Sequence, residues 1–149
     1  MTVAHVSVDV DASPEQVWKV VSDPRNLPRW DHHIVGVAGV PKGGIAEGTA
    51  YRTQVRFFGA KAAATSKVVT LDPPRYAKVR VRGLLDATVE TWIEPLDGGR
   101  TRLRHRVDYR FPGGSLGEVA ARAINMLGAA RLLRRGAEAQ KRQVEAAAD

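Results

Sequence analysis

Cysteine is absent from this sequence, and so are several other features that would indicate particular functions. Without a thiol the chain forms no disulfide and performs no thiolate chemistry. Because no apolar run resembles an export signal or a membrane span, we expect a cytoplasmic protein. Trp, Tyr and Phe occur three times each, scattered through 149 residues, which is too sparse for a stacking platform on nucleic acid.

Motifs of several enzyme classes are also missing. The chain has no glycine-rich phosphate loop, no recognisable set of Ser, His and Asp, and no pair of carboxylates on an inward face, so hydrolase and nucleotide-binding functions lack support. His32 and His33 are adjacent, but neighbouring side chains on an extended segment point to opposite sides, and no acidic cluster stands at ligand spacing. We therefore expect no metal site and no other cofactor.

Positive charge is in excess and unevenly distributed. The 149 residues make one ordinary domain with a formal net charge of +7. Residues 1–50 carry four Lys or Arg against six Asp or Glu, so the whole excess lies in residues 51–149. This favours solvated outer faces, with attraction to anionic ligands, lipid headgroups or nucleic acid as the alternative.

A strand and two short helices are predicted first. The valines of Val6–Val10 alternate with polar residues, which is the period of a half-buried strand. Ser13–Gln16 supplies an N-cap, a proline at the first helical position and the Gln of a capping box. Asp23-Pro24 ends this helix. The segment 26–31 follows as a second short helical turn or loop, with Leu27 and Trp30 as its apolar anchors.

The middle of the chain is predicted to consist of strands separated by turns rich in proline and glycine. The predicted strands are Ile34–Val40, Thr49–Phe58, Ala60–Leu71, Tyr76–Leu84, Thr88–Leu96 and Arg100–Phe111. In the last of these strands, charged residues alternate most clearly with the residues of the other side. His105 and Tyr109 belong to its apolar side, and the other side is wholly charged, so these two residues must face the interior.

A long helix is predicted from Ser115 to Ala148, where small and apolar residues recur at the spacing of one helical face. These positions are Leu116, Ala120, Ala123, Leu127, Ala130, Leu133, Ala137 and Val144. A face of such small volume either packs very close to the sheet or leaves a cavity. Gly128 costs about 1 kcal/mol relative to alanine inside a helix, which indicates a strand or a ligand approaching its backbone.

The order of these elements implies an α+β domain. We expect a curved antiparallel sheet of six to seven strands around a long C-terminal helix, with two short helices after the first strand. The segments ASPEQVW (12–18), DPRNLPRW (23–30), DPPR (72–75) and GGRTRL (98–103) resemble signatures of the START-like (SRPBCC, Bet v 1-like) superfamily, in its polyketide cyclase/dehydrase branch. The resemblance covers nearly the whole chain, taken as one domain over residues 1–149. It implies a helix-grip fold with a deep cavity between sheet and helix that binds a hydrophobic small molecule.

Polar residues on the inward faces define the predicted site. Tyr51 and Thr53 share the inner side of one strand and face the same interior as His105 and Tyr109. The resemblance places Trp30 at the mouth of the cavity. The predicted ligand contacts are Trp30, Tyr51, Thr53, Val89, Thr91, His105, Tyr109, Ala123, Leu127 and Gly128.

The expected function is binding of a lipid-like or aromatic, polyketide-like metabolite by a monomer or homodimer. One alternative is a polyketide cyclase/dehydratase in which His105 and Tyr109 act as acid and base. Relatives with that activity carry a pocket arginine near Arg52, although the alternation of its strand places Arg52 outside. The other alternative is a protein whose basic C-terminal helix contacts a membrane surface or a ribonucleoprotein; nucleic acid is the less favoured partner.

Overall fold

The computed structural model describes residues 2–57, 59–83, 85–110 and 128–148. Within these residues seven strands form one sheet, and every neighbouring pair is antiparallel. The strands are β1 Thr2–Val10, β2 Ile34–Ala38, β3 Ala50–Phe57, β4 Ala60–Asp72, β5 Tyr76–Arg82, β6 Asp86–Pro95 and β7 Thr101–Arg110. Their order across the sheet is β1-β7-β6-β5-β4-β3-β2, so β1 and β2 are its edges. The predicted sheet is confirmed.

Two short helices follow β1, as the sequence predicted. Helix α1 spans Pro14–Val21, α2 spans Leu27–Trp30, and a 3₁₀ turn over Pro24–Asn26 joins them. The Ser13 hydroxyl accepts a hydrogen bond from the backbone N–H of Gln16 at 3.2 Å, and the Gln16 side chain accepts one from the N–H of Ser13 at 2.9 Å. The predicted capping box is therefore present, and it sets the start of α1.

The C-terminal helix begins later than predicted. Helix α3 spans Ala129–Ala148, 20 residues, which corresponds to about 30 Å. Gly128 has a φ of +87°, outside the right-handed helical region, and its carbonyl accepts the N–H of Leu132 at 3.0 Å. The prediction that Gly128 lies inside one continuous helix from Ser115 is wrong, because the backbone turns there into a conformation that suits glycine. Four predicted face positions lie outside the described residues: Leu116, Ala120, Ala123 and Leu127.

The buried face of α3 also differs from the prediction. Ala137, Gln140 and Val144 are buried at the expected three-to-four spacing, and Leu133 is half-buried. Ala130, predicted on this face, is exposed. Among the described elements, α3 contacts mainly β1, α1 and α2. The polar Gln140 occupies a position at which the sequence predicted no contact.

An apolar core fills the space where β1, β6 and β7 meet α1 and α3. Its fully or nearly fully buried members are Val10, Ala12, Val17, Ile93, Leu103 and Val144. Trp18, on α1, packs against this cluster. Each aliphatic side chain of this kind contributes about 1.5–3 kcal/mol when it leaves water. This cluster holds the helices to one end of the sheet.

Polar contacts add to this attachment at the end of β1. The Lys141 ammonium donates to the Asp9 carbonyl at 2.7 Å and lies 3.0 Å from the Glu145 carboxylate. That carboxylate also accepts the N–H of Asp11 at 2.8 Å, and this hydrogen bond is the main cause that lowers the pKa of Glu145. Backbone groups at the end of β1, where the sheet ladder stops, therefore find hydrogen-bond partners in side chains of α3.

Gly83 offers a test of how closely β4 and the end of β5 approach each other. Its φ is +154°, and a β-carbon there would lie 2.6 Å from the Ala63 carbonyl oxygen and 2.9 Å from the Ala64 α-carbon. Gly44, at a φ of +98°, has nothing within 4 Å of the same added atom. Both substitutions by alanine strain the backbone, but only Gly83→Ala also forces two main-chain segments apart. In urea denaturation we expect Gly83→Ala to lose about 1–3 kcal/mol more stability than Gly44→Ala. Equal losses would contradict the close approach.

Candidate functional site

Polar side chains line the inner face of the sheet, the face that α3 covers. Apart from Thr101, whose hydroxyl donates to the Ala12 carbonyl at 2.7 Å, the buried ones are Tyr51 and Thr53 on β3, Ser66 on β4, Thr91 on β6, and His105 and Tyr109 on β7. Five of these six were predicted to face the interior, and Val89 lies on the same side, half-buried. Ser66 was not predicted, because it follows a run of small residues whose alternation carries little contrast between apolar and polar positions.

The strand register places the two tyrosines at opposite ends of one row. Tyr51 pairs with Ser66, Ser66 with Val81, Val81 with Ala87, and Ala87 with Tyr109. The row crosses five strands spaced about 4.8 Å apart. Between the two phenol rings the sheet therefore presents only small or short side chains. We call this row, with Tyr51 and Tyr109 at its ends, the trough.

Both phenols are hydrogen-bond donors at neutral pH. Burial raises the pKa of Tyr51, and a hydrogen bond with Ser66 only partly offsets this. Burial likewise raises the pKa of Tyr109. The hydroxyl groups therefore stay protonated, which suits them to donate to a carbonyl or ether oxygen.

His105 connects the sheet to α3 through both of its ring nitrogens. The Thr91 hydroxyl oxygen lies 2.8 Å from Nδ1, and the Gln140 amide oxygen lies 2.6 Å from Nε2. With that amide oxygen facing the ring, Nε2 must carry the proton and donate to Gln140, while Nδ1 accepts from Thr91. Burial lowers the pKa of His105, an effect that the bond to Gln140 opposes in part, so the imidazole is neutral at pH 7.

This arrangement bears on the acid–base hypothesis for His105. The buried ring has a partner at each nitrogen, and proton exchange with a ligand would require one of the two hydrogen bonds to break first. The sequence did not identify Gln140 as a partner. Its spacing of three residues from Ala137 and four from Val144 was the signal that could have placed it on the buried face of the helix.

Trp30 joins α2 to α3. Its indole N–H donates to the Gln143 amide oxygen at 2.9 Å, and the amide N–H of Gln143 donates to Asn26 at 3.2 Å. Gly136 lies beside the Trp30 carbonyl oxygen, which would be 3.6 Å from an added β-carbon. The indole is consequently buried against the helix, one residue before the turn that leads into β2.

The two adjacent histidines lie side by side, contrary to the prediction. The ring centroids of His32 and His33 are 4.2 Å apart, and the Asp31 carboxylate lies 2.9 Å from Nδ1 of His33. The prediction assumed an extended segment, whereas these residues form a turn that gathers their side chains on one side. One ligand atom from each of the three residues lies within 4.8 Å of the others.

The remaining predicted residues are dispersed. Arg52 is exposed on the outer face of β3, as its alternation predicted. Gly128 is half-buried at the start of α3. Ala123 and Leu127 lie outside the described residues. The structure therefore brings together the predicted residues of β3, β6 and β7.

Comparison with known proteins agrees with this architecture. A family model described as polyketide cyclase / dehydrase and lipid transport matches residues 1–145. No curated protein matches the sequence. In the part of the chain that the structure describes, no helix is both long and apolar enough to cross a membrane.

Several solved structures share the fold at low sequence identity. A protein from Thermus thermophilus has a TM-score of 0.80 at 15% identity, over 99% of this chain and 100% of that one. A START superfamily protein from Mycobacterium smegmatis has a TM-score of 0.69 at 20% identity, over 97% and 98%. The Zhui aromatase/cyclase from a Streptomyces species has a TM-score of 0.67 at 21% identity, over 95% and 96%.

The buried His105 predicts a specific dependence of stability on pH. Its pKa is lowered in the folded state, so below about pH 6.5 the unfolded chain binds a proton that the folded protein does not. Stability should therefore fall as the pH is lowered from 6.5 to 5.5, with a contribution of up to about 1.4 kcal/mol per pH unit. Urea denaturation at both values should show a smaller fall for His105→Leu than for the wild type.

A second substitution tests the same point without removing the ring. Gln140→Glu places a carboxylate beside Nε2, which favours the imidazolium form and should raise the pKa of His105. The contribution of His105 to the pH dependence should then change sign. Identical pH profiles for the wild type and both variants would contradict the assignment.

Proposed function

Because the chain belongs to the polyketide cyclase / dehydrase and lipid transport family and has a START-like fold, we propose that it binds a hydrophobic small molecule between the sheet and the C-terminal helix. The observation that supports this proposal most directly is the trough on the inner face, where Ser66, Val81 and Ala87 separate Tyr51 from Tyr109. A row of short side chains between two large ones leaves volume that a ligand can fill. Pockets for small molecules combine such apolar walls with a few polar groups.

The chemistry of the trough favours a particular class of ligand. Its floor is apolar except for the Ser66 hydroxyl, and its ends are protonated phenols. A flat aromatic or lipid-like molecule with one or two carbonyl or hydroxyl oxygens matches this pattern. A charged ligand does not, because none of the buried residues on this face is a Lys, Arg, Asp or Glu in the described part of the chain.

We favour a binding or carrier role over catalysis. His105 is neutral and engaged at both nitrogens, so it is not prepared to take a proton from a ligand. In a carrier, Tyr109→Phe removes at most one hydrogen bond, about 0.5–1.5 kcal/mol, which corresponds to tenfold or less in affinity. In an acid–base enzyme that uses Tyr109, the same change would lower turnover by about 10²–10⁴ with little change in binding.

Thr53→Phe tests the location of the site. Thr53 is buried on the inner face of β3, and the next residue, Gln54, is exposed on the outer face. We expect N-phenyl-1-naphthylamine, a neutral fluorescent probe, to bind the wild type and Gln54→Phe equally and Thr53→Phe at least about tenfold more weakly, because the added ring occupies the trough. Native mass spectrometry of freshly purified wild type should show a co-purified small molecule that Thr53→Phe lacks. Equal probe binding by both variants would place the ligand elsewhere.

A second candidate function follows from six exposed cations on the outer side of β3, β4 and β5. This basic face consists of Arg52, Arg56, Lys61, Lys67, Arg80 and Arg82. None of the six forms an ion pair within the described residues, whereas on β7 Arg102 is 3.0 Å from Asp9 and Arg104 is 2.6 Å from Glu94. One half of the outer surface is therefore balanced in charge, and the other half is cationic.

The register makes the basic face unfavourable in isolation. Arg56 stands directly opposite Lys61, and Lys67 directly opposite Arg80. Like charges at facing positions destabilise a sheet, and an anionic partner would relieve this repulsion. We favour an anionic lipid surface over nucleic acid, since the outward positions among the cations, Gln54, Ala63 and Thr65, supply no aromatic ring for stacking on bases.

Charge reversal tests this second function. Each Lys or Arg near an anionic membrane contributes about 1 kcal/mol, so Lys67→Glu/Arg80→Glu should weaken binding to phosphatidylcholine–phosphatidylglycerol vesicles at least about tenfold. Arg29→Glu/Lys42→Glu, outside the basic face, gives the same net charge and should bind like the wild type. Equal losses in both variants would indicate a general charge effect. Tighter binding to an oligonucleotide than to vesicles would favour nucleic acid instead.

A further inference from the structure

We propose that Asp31, His32 and His33 form a binding site for a divalent transition-metal ion such as Zn²⁺. The three residues supply two imidazoles and one carboxylate, and one ligand atom of each lies within 4.8 Å of the others. Imidazole and carboxylate together suit zinc and its first-row neighbours, whereas Mg²⁺ and Ca²⁺ require mostly oxygen ligands. The site lies apart from the proposed ligand trough, because none of its residues lies on the inner face of the sheet.

The contact between Asp31 and His33 already has the spacing of two metal ligands. The carboxylate oxygen and Nδ1 are 2.9 Å apart. Two ligands at about 2.0–2.1 Å from one zinc ion are separated by about 2.9–3.4 Å, depending on the angle between them. A metal ion can therefore take the place of the proton that these two atoms share, with little movement of either residue.

Backbone hydrogen bonds hold the turn in this shape. The Asp31 carboxylate accepts the N–H of His33 at 2.9 Å, and the Asp31 carbonyl accepts the N–H of Ile34 at 3.0 Å. The His33 carbonyl accepts the N–H of Arg56 on β3 at 2.8 Å. Because the turn is fixed to the end of α2, to β2 and to β3, two of the three ligands need little ordering when a metal binds.

The third ligand completes the set at low energetic cost. His32 is exposed, and the side chains of Asp31 and His33 are 30% and 25% exposed, so the ion can enter from water. The His32 ring stands 4.2 Å from that of His33 and needs only a rotation of its own side chain to reach the ion. Three protein ligands leave a fourth tetrahedral position for water or for an oxygen atom of another molecule, as in open zinc sites.

Isothermal titration with zinc chloride tests the proposal on the full chain after any affinity tag has been removed. We expect one zinc ion per chain and a loss of affinity of at least about tenfold in His32→Ala, because one of three ligands is gone. His32→Ala removes an exposed side chain, so circular dichroism should be unchanged. His5→Ala removes another exposed histidine, on β1, and should bind zinc like the wild type.

Electron paramagnetic resonance of the Cu²⁺ complex identifies the ligands directly. The wild type should show coupling to two imidazole nitrogens, and His32→Ala to one. Asp31→Asn, which keeps an oxygen to accept the N–H of His33 but loses the charge, should weaken zinc binding without removing either nitrogen. Unchanged zinc affinity in His32→Ala, equal losses in His32→Ala and His5→Ala, or copper spectra identical in wild type and His32→Ala would each overturn the proposal.

Discussion

A buried histidine, His105, helps to fix how the C-terminal helix lies on the sheet. The apolar cluster at the β1 end attracts α3 without a preferred register, because burial of methyl groups has no direction. The hydrogen bonds from Thr91 through His105 to Gln140 do have a direction. If α3 slid by one residue, the His105 imidazole and the Gln140 amide would stay buried without their hydrogen bond. Each unpaired buried group costs about 1–3 kcal/mol of stability. Together with the hydrogen bonds of Gln143 and Lys141, this pairing sets the position of α3.

The attachments of α3 are concentrated in its second half. Ala137 and Val144 enter the core, Gln140 binds His105, Gln143 binds Trp30, and Lys141 binds the end of β1. They fall on consecutive turns, whereas Ala130 and Arg131, in the first turn after Gly128, are exposed. This anchored part of α3 packs on the sheet beside β1. The trough from Tyr51 to Tyr109 extends from β7 toward β3, away from that attachment.

Local patterns in the sequence were sufficient for most of the fold. Alternation and turn residues predicted seven strands to within a few residues, and Ser13 with Gln16 predicted the start of α1, because each depends on the nearest residues alone. The break at Gly128 was missed, since glycine is compatible with both a helix interior and its end. The partnership of His105 with Gln140 joins residues 35 positions apart, and no local pattern reports such a contact. The pairing of His32 with His33 was missed for a different reason: the segment was assumed to be extended, and it is a turn.

The link between Trp30 and Gln143 has a consequence for how distant parts of the molecule respond to one another. This hydrogen bond and the contact at Gly136 attach α2 to α3, and the turn at residues 31–33 begins where α2 ends. A molecule that shifted α3 away from the sheet would displace the turn, and an ion that stiffened the turn would oppose that displacement. Thermodynamic linkage requires the two effects to be equal in size, so occupancy at either place would change the affinity at the other by the same factor.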